Sequence, residues 1–207
     1  MIAACYMGHL ECVRELIIWG ANIEMQDQDG RTALSVAVTC DSDSAAKLVT
    51  LLIDNGANSN KNDKDGMSPL LIAAFEGKAE VCEILLENSA DMDHADKEGK
   101  TALFAAASMG HLDILNLLMF WGCYVDGIDC EGRTVLSVAA AEGSAPIVKV
   151  RGIYFPRKIA QSLMLIRIDW MRIRIHRIWS MRIRIQDNKI TKLISNNLSS
   201  VKKKKIF

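Results

Sequence analysis

The sequence predicts an all-α solenoid of stacked helix–turn–helix units, followed by a basic tail. Three observations predict it. A turn motif, Asp-x-x-Gly, recurs at a nearly fixed period. Each copy leads into an alanine-rich segment and then a leucine- and isoleucine-rich one. The formal net charge of zero over 207 residues hides a split: residues 1–150 carry 10 basic and 23 acidic side chains, and residues 151–207 carry 15 and 2. Self-similarity at a period of 20–50 residues is the signature of repeat architectures. Opposite charge in the two parts, −13 against +13, marks segments with different roles or origins.

The elements follow in order. The turn copies are DQDGRTALSVA from Asp27, DKDGMSPLLIA from Asp63, DKEGKTALFAA from Asp96 and DCEGRTVLSVA from Asp129. Their glycines, Gly30, Gly66, Gly99 and Gly132, are spaced by 36, 33 and 33 residues. Aspartate bonds its own backbone in such a turn, and glycine permits positive φ. Thr32, Ser68, Thr101 and Thr134 stand just ahead of each first helix, where a hydroxyl satisfies free N–H groups. Ala73, Ala74, Ala105, Ala106, Ala139 and Ala140 let first helices approach closely. The second helices bury the pairs Leu51–Leu52, Leu85–Leu86 and Leu117–Leu118. Gly20, Gly56 and Gly122 end them in the left-handed conformation; Ser89 stands where a glycine is expected. Units therefore fall at 27–62, 63–95 and 96–128, with partial units at 1–26 and 129–150. The three extra residues of the first full unit fall in CDSDSAAK, between its helices.

Several classes of protein are disfavoured. No run of eighteen apolar residues suggests a membrane-spanning helix. His9, Glu11 and Arg14 interrupt any signal-peptide core at the start. The six cysteines form no C-x-x-C pair and read as reduced, buried thiols rather than a disulfide framework. His94, Asp93 and Asp96 lie close in sequence, but nothing in the spacing builds a metal site from them. Ser35 and Ser137 lack a nucleophile-elbow context, and the repeat aspartates are turn residues. The expectation is a non-catalytic chain with no cofactor, metal or small-molecule substrate.

A 33-residue unit of the form D-x-x-G-x-T-x-L-x-x-A-A-x-x-G-H…L-L-x-x-G-A resembles the ankyrin repeat, over residues 1 to about 150. Within that family the segments resemble a stretch of a long array in an endosomal sorting scaffold. The resemblance implies a cytoplasmic protein-interaction module, associated with endosomes, whose partners are other proteins; the chain is expected to be a monomer. It implies that turn tips and first-helix ends line a concave surface. Tyr6, Arg31, Met67, Phe75, Glu76, Lys100, Met109 and Arg133 are the candidate partner-binding residues on it. Aromatic and methionine anchors ringed by charge suit an interface core. The alternative, a solvated groove with singly exposed apolar residues, stays open. His9 and His111, in the Gly-His elements, are expected to be structural. Trp19 and Trp121, at the ends of second helices, are expected to pack.

The repeat pattern stops inside its last unit: Val150 to Pro156 replace the expected helix, and Met1 stands where the leucine of an opening turn belongs. Fraying is expected at residues 1–26 and beyond Gly143. In the tail, 151–207, RIDWMRIRI (167–175) recurs as RIWSMRIRI (177–185). Arginine alternates with isoleucine, a period-two pattern with one basic face. Three readings stand: an arm binding nucleic acid or anionic membrane, a nuclear signal at Lys202–Lys205, or a poorly ordered splicing or gene-model remnant.

Overall fold

The structure is a computed structural model, and it describes residues 1–40 and 44–148. The tail, with its Arg/Ile alternation and lysine run, lies outside the described residues, as do Asp41, Ser42 and Asp43 of the longer unit.

Among the described residues the chain folds into nine helices, four consecutive pairs and a ninth that opens the last repeat. The first helices are α1 (Ile2–Tyr6), α3 (Ala33–Thr39), α5 (Pro69–Phe75), α7 (Ala102–Met109) and α9 (Val135–Ala141). The second helices are α2 (Leu10–Ile18), α4 (Ala45–Asp54), α6 (Ala79–Glu87) and α8 (Leu112–Trp121); residues 145–148 are helical after α9. α1, α3, α5, α7 and α9 stack in one layer and α2, α4, α6 and α8 in another. None of these helices is long and apolar enough to cross a membrane.

The core is one column per repeat position. Leu34, Leu70 and Leu103 are sealed in the first layer. Leu52, Leu85 and Leu118, each four residues before the positive-φ residue that follows its helix (Gly56, Ser89 and Gly122), are sealed between the layers. The preceding Leu51 and Leu117, expected to be buried with them, are only half-buried, whereas Leu86, which follows Leu85, is buried. Ala73, Ala74, Ala105, Ala106 and Ala139 are buried at the close approach of first helices, whereas Ala140 is exposed.

Three of the four expected caps form. Thr32 and Thr134 make reciprocal boxes with Ser35 and Ser137, and the Ser68 hydroxyl accepts from the Leu71 N–H. Thr101 makes no side-chain cap bond; Phe104 stands where the two boxes have serine, so a reciprocal bond has no partner. Ser89 holds φ +63°, the one positive φ at a non-glycine among the described residues. A side chain there costs conformational energy. Ser89→Gly is therefore expected to stabilise the array by about 0.5–1 kcal/mol; an unchanged or lower urea midpoint would contradict it.

The repeats are joined along both margins. At the tips, the Lys64 N–H donates to Asp29 O (2.9 Å), Lys97 to Asp65 O (3.2 Å) and Cys130 to Glu98 O (2.9 Å). At the opposite margin, side chains accept from the next repeat's backbone: Glu24 from Asn58 (2.8 Å), Asn60 from Asp91 (2.7 Å) and Asp93 from Tyr124 (2.7 Å). Between the margins, Lys78 Nζ donates to Cys40 O, and His111 Nε2 lies 3.2 Å from Phe75 O. His94 Nε2 lies 2.7 Å from Gly66 O. A carbonyl only accepts, so Nε2 carries the proton in both histidines. Gly77 holds φ +76°, and a Cβ there would also stand 2.6 Å from the His111 ring.

Candidate functional site

Each tip is organised by its aspartate. One Asp27 oxygen accepts from the N–H groups of Asp29 and Arg31, both at 2.9 Å. Asp63 does the same with Asp65 and Met67, Asp96 with Glu98 and Lys100, and Asp129 with Glu131 and Arg133. Desolvation pushes the Asp27 and Asp129 carboxyls upward. Backbone N–H groups together with Arg31 and Arg133 outweigh it and hold both below the usual 3.8.

A carboxyl lowered in the folded state contributes stability above its unfolded pKa, and that contribution is lost as pH falls through the folded value. Both shifts are downward, so the loss belongs below about pH 4. The urea midpoint is expected to drop between about pH 4 and pH 2, and the drop is expected to be shallower in Asp129→Asn. Identical pH profiles for the two proteins would contradict the assignment.

The candidate cations at these tips are not free hooks. Arg31 pairs with Asp27 (2.9 Å) and Asp29 (3.0 Å), and Arg133 with Asp129 (2.8 Å) and Glu131 (3.0 Å). Lys100 pairs with Glu98; that hydrogen bond raises the lysine and lowers the glutamate. Lys100 and Met67 are half-buried, so Met67 is not the exposed anchor the sequence suggested; it stands at the tip position that carries the cation in the other three turns.

The apolar candidates at the first-helix ends are exposed: Tyr6 by 66%, Phe75 by 44% and Met109 by 48%, with Glu76 beside Phe75 exposed as well. The structure brings Tyr6 and Arg31 together on one cleft of about 410 Å³ across α1, α3 and α5. Met7 completes its rim, and Ile2, Ala3, Val36 and Ile72 supply its apolar lining. Phe75, Met109, Lys100 and Arg133 lie outside it. Sequence reasoning missed Ala3, Val36 and Ile72. They share one repeat position, at steps of 33 and 36 residues, and that periodicity was the available signal. The cleft exists because this column is small at Ala3 and Val36, and because Thr39 stands where the units before and after have Tyr6 and Phe75.

The other candidates resolve individually. Trp121 is 9% exposed, as expected, but Trp19 is 83% exposed. Trp121 sits in a repeat flanked on both sides, whereas described residues flank the repeat of Trp19 on one side only. Cys5, Cys40, Cys82 and Cys123 are buried; Cys12 and Cys130, contrary to expectation, are exposed. Burial pushes Cys5 up to about 11 and Cys82 and Cys123 up to about 12. Those three are inert thiols at neutral pH. Among the described residues no three His, Cys, Asp or Glu gather into a possible metal site.

Comparison with known proteins accords with this architecture. The chain spans 38% of its length, 78 residues, at 29% identity to the human SH3 and multiple ankyrin repeat domains protein 2, and covers 4% of that protein. A family described as ankyrin repeats (3 copies) matches residues 1–96, 42–129 and 90–150. With most of its length matched, and with paired helices, Asp-x-x-Gly tips and two stacked layers, this chain belongs to the ankyrin repeat family.

Proposed function

We propose that the chain is a non-catalytic scaffold whose concave face, formed by the tips and first-helix ends, binds other proteins. One observation carries the proposal: exposed Tyr6 and Met7 border an apolar cleft on the face that also exposes Phe75 and Met109. Large side chains beside a concavity are what interface cores use. Ankyrin repeats are protein-interaction modules in general, which supports the same assignment.

The finer placement rests on sequence resemblance. AACYMGHLECVRELI, DKDGMSPLLIAAFEG and AAASMGHLDILNLLMFWG resemble, in this order, part of the array of ankyrin repeat domain-containing protein 50. That resemblance supports a cytoplasmic role in endosomal sorting and recycling of membrane cargo. Nothing in this sequence matches the phosphate-binding G-x-x-x-x-G-K-[ST] motif, so no nucleotide-dependent activity is carried over.

The test is a pair of substitutions against a partner fixed by photo-crosslinking through the concave face. Phe75→Ala is expected to weaken binding roughly tenfold or more, and Glu76→Ala by no more than about threefold. Equal or absent effects would remove the concave face from consideration. A steep loss of affinity with salt that is indifferent to Phe75 would instead favour binding through the basic residues of 151–207.

A further inference from the structure

Resting on that reading of the concave face, we propose a chemistry for its occupant: the cleft across α1, α3 and α5 receives a leucine-, methionine- or phenylalanine-sized side chain from a positively charged peptide. Three observations support this. The first is the state of the polar groups. The Ser35 hydroxyl donates to Thr32 O (3.0 Å) and accepts from the Thr32 N–H (2.9 Å). The Thr39 hydroxyl donates to Val36 O (2.9 Å). The Arg31 guanidinium is held by Asp27 and Asp29. The hydroxyl protons of Ser35 and Thr39 are thus already spent on the chain's own backbone, and the Tyr6 hydroxyl belongs to a side chain 66% exposed to water. A polar occupant would lose its water without equivalent bonds in return, which is unfavourable. An apolar one loses nothing.

The second is size. About 410 Å³ lies within the range of roughly 300–1,000 Å³ typical of ligand-holding pockets. The walls are unlike each other in stiffness. Val36 and Ile72 are branched and nearly buried, so the floor is fixed. Met7 is exposed and unbranched, so the rim adapts to the shape that enters.

The third is charge. The tip beside the cleft has two carboxylates against one guanidinium, and the Asp29 side chain is 70% exposed. Residues 1–150 as a whole carry 23 acidic against 10 basic side chains. A field of that sign concentrates cationic chains and speeds their encounter, while the apolar contact holds them. The outer face of the second helices offers a hollow of similar size, but Arg14, Lys47, Asp54 and Glu80 line it, and it has no comparable apolar floor.

The experiment uses the full chain and a lysine-bearing peptide of about fifteen residues, labelled for fluorescence anisotropy, with its central position varied over Leu, Met, Phe, Asn and Lys. The expected order is Leu, Met and Phe tightest, with Asn and Lys weaker by roughly tenfold. Ala3 is exposed on α1, so Ala3→Phe fills the cleft from the solvent side without disturbing the core. It is expected to abolish the preference for Leu. Tyr6→Ala, also at an exposed position, is expected to weaken the Leu peptide several-fold and serves should Ala3→Phe fail to fold. Raising salt is expected to weaken all the peptides together and leave their order intact. Equal binding of Leu and Asn peptides, no binding of either, or indifference to both variants would overturn the proposal. Indifference to Ala3→Phe and Tyr6→Ala combined with sensitivity to Phe75→Ala would leave the concave face standing and remove only the cleft. Insensitivity to all three would remove both.

Discussion

Leu70→Ala is expected to cost the array about 2–5 kcal/mol. Leu70 has no exposed surface, and α5, on which it stands, packs against α3, α6 and α7. Alanine would leave a cavity bounded by helices of three consecutive repeats. Stability in a repeat array is roughly the sum of each unit's own free energy and its two interfaces. A lesion in the central unit weakens one intrinsic and two interfacial contributions. The unfolding transition is therefore expected to broaden as well as shift, with the two sides of the array melting less cooperatively. Urea unfolding followed by circular dichroism measures both. Ile18→Ala, at a position 69% exposed, is the control and is expected to shift stability by no more than about 0.5 kcal/mol. A Leu70→Ala shift below about 1 kcal/mol would mean that the neighbouring helices close over the gap.

Gly30→Ala is expected to cost about 2–3 kcal/mol, through two separable effects. The first is conformational, since Gly30 holds φ +79°. The second is contact: a Cβ there would stand 3.0 Å from the Lys64 backbone nitrogen and 3.2 Å from its Cγ. That nitrogen donates to Asp29 O at 2.9 Å, so moving aside stretches the bond between two tips. Gly56→Ala separates the effects, because Gly56 holds φ +92° with nothing within 4 Å of a Cβ. It is expected to cost only about 1 kcal/mol, the conformational share. Equal losses in the two variants would show that the tip contact contributes nothing.

The positions of the tips, the alternation of first and second helices and the sealed leucines at 52, 85 and 118 were legible because each depends on one repeat at a time. Asp27 and its counterparts bond their own turns, and Thr32, Ser68 and Thr134 cap their own helices. The cleft was not legible in that way. It depends on the summed size of Ala3, Val36, Thr39 and Ile72 across three repeats, a quantity visible only when the columns are stacked. Trp19 and Trp121 make the same point. They have the same place in their repeats and opposite burial, because burial is set by the flanking units. Met67 was misjudged for a related reason: the tip position itself is partly covered in the inner repeats, since Lys100 at the same place is half-buried too, while Arg31 and Arg133 in the outer ones are exposed.

The hydrogen bonds at the two margins give the array a mechanical character. Lys64 to Asp29, Lys97 to Asp65 and Cys130 to Glu98 form one rail; Glu24 to Asn58, Asn60 to Asp91 and Asp93 to Tyr124 form the other. A strip held by two rails resists twisting, since rotating one unit against the next lengthens rungs on one rail or both. Tension along the chain meets a different response: peeling a unit breaks its own rungs and leaves the remainder of the strip intact. The array is torsionally stiff and extensible in steps, a spring that pays out one repeat at a time.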